Sequence, residues 1–166
     1  LTDAAPSRPA LILREYSDDL APHFHDINME WIEAMFVMED LDRAVLRDPR
    51  GKIIEPGGVI LFVEAVGIGI VGTCALKRSG DGDFELTKMG VRADARGLGA
   101  GAFLLAETIA RAKAMGADKL YLLTSSRCEA AIHLYEQAGF EHDTEIMRDY
   151  GARYDRCDVA MRYRPR

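Results

Sequence analysis

Nothing in this chain approaches the run of 18 or more apolar residues that a membrane-spanning helix needs, which excludes a helical membrane protein. Cysteine is scarce: Cys74, Cys128 and Cys157 are an odd number with no C-x-x-C spacing, so neither a disulfide framework nor a zinc site is indicated. A signal-peptide pattern is also missing, and free thiols in a reducing cytoplasm are the expectation. Basic residues are too few for sequence-independent nucleic-acid binding, with 21 Lys and Arg against 27 Asp and Glu and a net charge of −6. His23, His25, His133 and His142 have no metal-ligand spacing, so no metal is expected. The chain opens on Leu1 rather than methionine, which suggests a trimmed or processed chain with room for an upstream domain.

What is present suits one α/β domain, since 166 residues can bury roughly 70% of the surface an unfolded chain exposes. Residues 1–10, with Pro6 and Pro9, read as a flexible arm before a domain over 11–166. Leu11 to Tyr16 reads as a strand, and Leu20, Phe24, Ile27, Trp31, Ala34, Met35 and Met38 recur at helical period from Asp18 to about Met38. A second helix is expected from Glu39 to Leu46. Val59–Val66 and Ile68–Leu76 form a hairpin pattern about Gly67. In the next strand, Phe84 to Val91, Phe84 and Leu86 share one parity and Met89 and Val91 the other, which predicts a β-bulge between Leu86 and Met89.

Arg96-Gly97-Leu98-Gly99-Ala100-Gly101-Ala102 follows that strand and opens a helical pattern in which Leu98, Ala102, Leu105, Ile109 and Ala112 share a face and Glu107 and Arg111 an i,i+4 spacing. Lys119–Thr124 reads as a strand parallel to the previous one, and Ser126 with Glu129 has capping-box spacing for a helix ending at Gly139. Phe140–Ile146 and Cys157–Tyr163 complete the strands. Glycines before a helix suit an anion, because backbone amides and the helix dipole converge there. The spacing also matches G-x-G-x-x-A, yet six residues separate Val91 from Gly97 and the following strand ends in Thr124-Ser125 rather than an acid, against a dinucleotide fold. A P-loop fails for want of Lys-Ser/Thr after the glycines.

Arg96-x-x-Gly99-x-Gly101 after a bulged strand, followed by Ala131-Ile132-His133-Leu134-Tyr135-Glu136-Gln137-Ala138-Gly139-Phe140, resembles the GNAT superfamily of acetyl-CoA-dependent N-acetyltransferases. The resemblance is dense over residues 84–140. It implies a mixed, mostly antiparallel sheet of six to seven strands, splayed at a central parallel pair and flanked by about four helices. It further implies acetyl-CoA as acetyl donor, with the pyrophosphate on the amides of Gly97, Leu98, Gly99, Ala100, Gly101 and Ala102 beside Arg96, and the pantetheine and thioester along Met89, Gly90 and Val91. Tyr135 stands where family members place a general acid, although its spacing also suits a core tyrosine; Glu85 stands where many keep the carboxylate that deprotonates the amine, although a solvated strand residue is the plain reading. Many members carry asparagine where Cys128 stands. The acceptor implied is a primary amine, and Glu30, Glu33, Glu39, Asp40 and Asp42 would favour a cationic one if they face the acceptor cleft. Family members are often homodimers. The competing expectations are a non-catalytic acyl-CoA sensor or effector domain, and an interaction module with a vestigial site.

Overall fold

The computed structural model describes residues 7–165. Most of the expected arm, residues 1–6, lies outside that range, and residues 7–10 lead into β1 (Leu11–Glu15) without regular structure. A short 3-10 turn, Asp18–Leu20, precedes α1 (Ala21–Met35). Neither Asp18 nor Asp19 caps it through its side chain; Pro22 in the first turn, whose fixed φ suits a helix start, does the local work instead. The second helix, α2 (Asp40–Arg47), is entered through a capping box between Glu39 and Asp42, and a π-helical turn, Arg50–Ile54, follows.

Three antiparallel strands come next, β2 (Val59–Ala65), β3 (Gly69–Gly80) and β4 (Asp83–Val91). The helix α3 (Ala100–Ala114) crosses over to β5 (Lys119–Thr124), which lies parallel to β4. Then come α4 (Glu129–Ala138), β6 (Phe140–His142), α5 (Thr144–Tyr150) and β7 (Val159–Tyr163). The seven strands take the order β1-β2-β3-β4-β5-β7-β6, with β4 and β5 as the parallel pair. This is the expected mixed sheet, with five α-helices rather than about four.

Helices on both faces explain the continuous apolar run of β2, whose alternate residues enter two cores. Leu61 and Val63 join the core under α3 with Leu104, Leu105 and Ile109, while Ile60 and Phe62 join Phe24, Ile27, Ile32, Val45 and Leu46 from α1 and α2. Each fully buried side chain of this size contributes on the order of 1.5–3 kcal/mol. Arg111 on α3 bonds Glu15 of β1 (2.8 Å) rather than the neighbouring Glu107, because the helix lies along that sheet face.

Two expectations near the C-terminal end need correction. The strand foreseen over Phe140–Ile146 stops at His142, since Asp143 caps a helix by accepting from the Ile146 amide at 3.0 Å; Ile146, Met147 and Tyr150 then pack on β5 and β7. Ser126 caps nothing. Its amide and hydroxyl both donate to Asp158 (2.7 and 2.8 Å), and Cys128 is the N-cap residue of α4.

Candidate active site

The parallel ladder between β4 and β5 is short: Asp83–Leu86 pairs with Lys119–Leu122 and then stops. Beyond it, β4 stays with β3 and β5 stays with β7, so the two strands diverge and a cleft of about 700 Å³ opens between them. The predicted bulge lies at this divergence. Ala75 faces Thr87 and Thr73 faces Gly90, so one β3 residue opposes both Lys88 and Met89. Lys88 adopts φ +52°, the one non-glycine residue in the left-handed region among the described residues, a conformation that costs on the order of 1–2 kcal/mol. Main-chain groups from Thr87 to Val91 have no β5 partner and border the cleft.

The glycine stretch closes one end. Gly97 and Gly99 hold φ of +86° and +77°, which only glycine adopts without strain, and Gly99 is the N-cap of α3. Gly101 is helical, and a Cβ there would meet Leu134 at an ordinary 3.4 Å, so no close packing within the chain demands glycine. The Gly99 carbonyl accepts from the Phe103 amide, while the amides of Gly97 to Ala102 donate to no backbone acceptor among the described residues. Arg96 is exposed and has no ion-pair partner among them, whereas Arg92 is engaged by Asp94 at 2.7 Å. A second cation stands nearby: Nη1 of Arg8 lies 3.8 Å from where a Gly99 Cβ would be. Unpaired amides at a helix start beside arginines fit a pyrophosphate.

Met89, Gly90, Val91, Arg96, Gly97, Gly99, Ala100, Gly101, Ala102, Glu85 and Tyr135 all border this one cleft. Leu98 is the exception; its side chain packs, partly buried, on the α3 core. Tyr135 is 7% exposed, stacked edge-on against Phe140. Its hydroxyl makes no hydrogen bond among the described residues, and no buried side-chain oxygen there lacks a partner, so the hydroxyl keeps its opening to the cleft. Burial, with Cys74 and Cys128 adding smaller effects, raises its pKa, keeping the phenol protonated at neutral pH. Cys128 forms part of the same wall. Cys157, also on the cleft, is held as a thiol by burial, its pKa pushed up to about 11.

Glu85 points to the opposite face of the sheet from its neighbours Phe84 and Leu86, which belong to the α3 core. It is 3% exposed and accepts from Arg153 at 2.5 Å, so the plain reading of a solvated strand carboxylate does not hold. Tyr135 and Glu85 therefore flank the opening from opposite faces.

The sequence reading missed a buried ion cluster that supports the bulge. Asp42, fully buried, accepts from Lys88 Nζ (2.8 Å), from Arg156 through Nη1 (2.7 Å) and Nη2 (2.8 Å), and from the Glu39 amide (3.0 Å), filling its acceptor sites. Lys88 also donates to the Tyr154 hydroxyl at 3.0 Å. Burial alone would raise the Asp42 pKa; the bonds from Arg156 and Lys88 outweigh it and hold the carboxyl far below the usual range. A signal was available: Asp42, Val45, Leu46 and Pro49 are buried at i, i+3, i+4 and i+7, so the aspartate sits on the apolar face of its helix and demands a buried cation.

The acidic residues of the first two helices are thus largely engaged within the chain. Glu39 caps α2 and bonds Arg156 and the Asp155 amide, Glu30 accepts from the Ala93 amide, and Asp40 pairs with Arg43.

The Acetyltransferase (GNAT) family matches residues 17–140. No curated protein matches the chain. Among solved structures, a GNAT-family acetyltransferase from Staphylococcus aureus Mu50 is 21% identical with a TM-score of 0.82, covering 93% of this chain and 98% of that one. An acetyltransferase from Streptococcus agalactiae 2603 is 19% identical with a TM-score of 0.77, over 92% and 97% of the two chains. The PaiA N-acetyltransferase from Thermoplasma acidophilum, solved in complex with coenzyme A, is 15% identical with a TM-score of 0.69, over 93% and 99%. These similarities concern the fold, and the family match spans most of the chain, splayed strands and glycine stretch included: the protein belongs to the GNAT family of acetyltransferases.

Proposed function

We propose that this chain moves an acetyl group from acetyl-CoA to a primary amine by direct attack of the amine on the thioester. The observation that carries this reading is the convergence on one cleft of unpaired α3 amides, a bulged β4 edge and the open hydroxyl of Tyr135. The donor supplies an activated acetyl group when bound. Gly97 to Ala102, with Arg96 and Arg8, hold its pyrophosphate, and Met89 to Val91 offer main-chain groups to its pantetheine arm and thioester carbonyl. Tyr135 Oη, protonated, donates to the departing sulfur. Glu85, paired with Arg153, receives the amine proton through water from the other face of the sheet. A reducing cytoplasm suits the three free thiols.

Replacing Tyr135 by Phe removes the proton donor and leaves the phosphate site intact. Turnover is expected to fall by about 10²-fold while acetyl-CoA affinity stays within about twofold. Release of free CoA, followed across an amine panel, is the measurement; an unchanged rate removes Tyr135 from the chemistry. Binding of acetyl-CoA with no CoA release on any amine would instead favour a sensor domain.

A further inference from the structure

The charges around the acceptor side of the cleft, given the acetyl-transfer reading above, define the class of amine. Trp31 and Met35 of α1, with Phe36 just beyond its end, make an apolar wall there, facing Lys88, Arg127, Tyr154 and Arg156. Three carboxylates of this region are already engaged, Asp42 by Lys88 and Arg156, Glu39 by Arg156 and Glu85 by Arg153, while Glu129, exposed on the same cleft at the start of α4, has no basic partner among the described residues. Arg156 donates through Nη1 twice and through Nη2 once, which leaves Nε and the second Nη2 proton without an acceptor among the described residues. That unengaged edge carries two parallel N–H groups, the geometry that takes a carboxylate in bidentate fashion. Its plane is held by Tyr154, Phe36 and Trp31, whose ring centroids lie 4.7, 5.5 and 5.9 Å from the guanidinium carbon. Arg127 is exposed on the same cleft, 5.0 Å from the centre of the Phe36 ring, and has no carboxylate partner among the described residues. Arg127 and the free edge of Arg156 are thus the cationic donors left for a ligand beside this apolar wall.

We propose that the acceptor is an amine that also carries a carboxylate, of the amino-acid class with an apolar side chain. Arg127 and the Nε edge of Arg156 hold the carboxylate, and Trp31, Met35 and Phe36 receive the side chain. The amine is thereby turned towards the bulge, between Glu85 and Tyr135. Polyamines are disfavoured, because Asp42, Glu39 and Glu85, which would attract them, are bound to arginine and lysine.

The test compares amino acids with their decarboxylated counterparts at matched concentrations of neutral amine and saturating acetyl-CoA: phenylalanine against phenethylamine, leucine against isoamylamine, with spermidine as the polycation. CoA release by the full chain is expected to show kcat/KM at least about tenfold higher for the amino acids, as a charge-assisted hydrogen bond would give. In Arg127→Met, a change at an exposed position that spares the buried cluster, this ratio shrinks by about tenfold, chiefly through KM for the amino acid. Equal or faster turnover of the decarboxylated amines or of spermidine overturns the proposal, as does an unchanged ratio in the variant, and either leaves acetyl transfer standing. Failure of every amine to give CoA release, while acetyl-CoA still binds in calorimetry, overturns acetyl transfer and this assignment together.

Discussion

Gly90 shows how one missing side chain shapes the cleft. Its φ is unexceptional, but a Cβ there would stand 2.6 Å from Trp31 Cδ1 and 2.9 Å from Nε1, closer than such atoms come. Trp31 cannot yield freely, because Nε1 donates to Asn28 Oδ1 at 2.8 Å and Asn28 in turn donates to the Phe24 carbonyl at 2.8 Å inside the buried face of α1. Gly90→Ala is therefore expected to destabilise the fold by about 1–3 kcal/mol, read as a lower urea midpoint, and to raise KM for the acceptor more than for acetyl-CoA. A midpoint unchanged within error would show that Trp31 can move at little cost. Residue spacing disclosed the glycine and the parity slip around it; that Trp31 fills the space above Gly90 depends on how α1 crosses β4, which no local pattern contains.

At the scale of elements, the ties between α2, β4 and the segment at Tyr154–Arg156 are electrostatic. Asp42 brings a carboxylate from α2 to the bulge, where Lys88 holds a left-handed backbone, and Arg156 closes the cluster. Removing one member strands the others in a buried place, so Asp42→Asn is expected to cost on the order of 3–5 kcal/mol in chemical unfolding. The pH dependence has a definite sign. The Asp42 pKa is lowered in the folded chain, so this stabilisation is complete above the ordinary aspartate value of roughly 4 and is lost as pH falls from there through the lowered folded value. Over that acid window the unfolded chain binds a proton the native one does not, a slope of at most about 1.4 kcal/mol per pH unit for one group. Urea midpoints measured against pH in acid should therefore fall less steeply in Asp42→Asn than in the parent; parallel profiles would mean that Asp42 is not the carboxylate being titrated. Periodicity located α1, α2, α3 and α4 to within a few residues. It failed at α5, where a few residues carrying both apolar and polar groups read as strand until Asp143 is seen accepting from the Ile146 amide.

For the whole molecule, the sheet is two wings, β1 to β4 and β5 with β7 and β6, joined by the short parallel ladder Asp83–Leu86 with Lys119–Leu122. A ligand seated in the cleft between them binds the native state alone, so acetyl-CoA at about 100 times its Kd should add about 2.7 kcal/mol of stability. For a chain of this length that is a rise of roughly 5–10 °C in Tm, measurable by calorimetry or dye unfolding. No shift at saturating acetyl-CoA would mean that the native chain does not bind the donor, and would overturn the acetyl-transfer reading. By itself the sequence determined the elements apart from α5, and brought out the bulged strand and the glycine stretch that border the cleft, because helix period, strand parity, glycine backbone freedom and a strand-glycine-helix order are local properties of the chain. Tertiary structure alone decided the rest: which face Glu85 occupies, how the acids of α1 and α2 are neutralised, and which edge of Arg156 stays open. Those outcomes depend on burial and on partners as far as 117 positions away in the chain, and a charge reveals its role only once its partner is beside it.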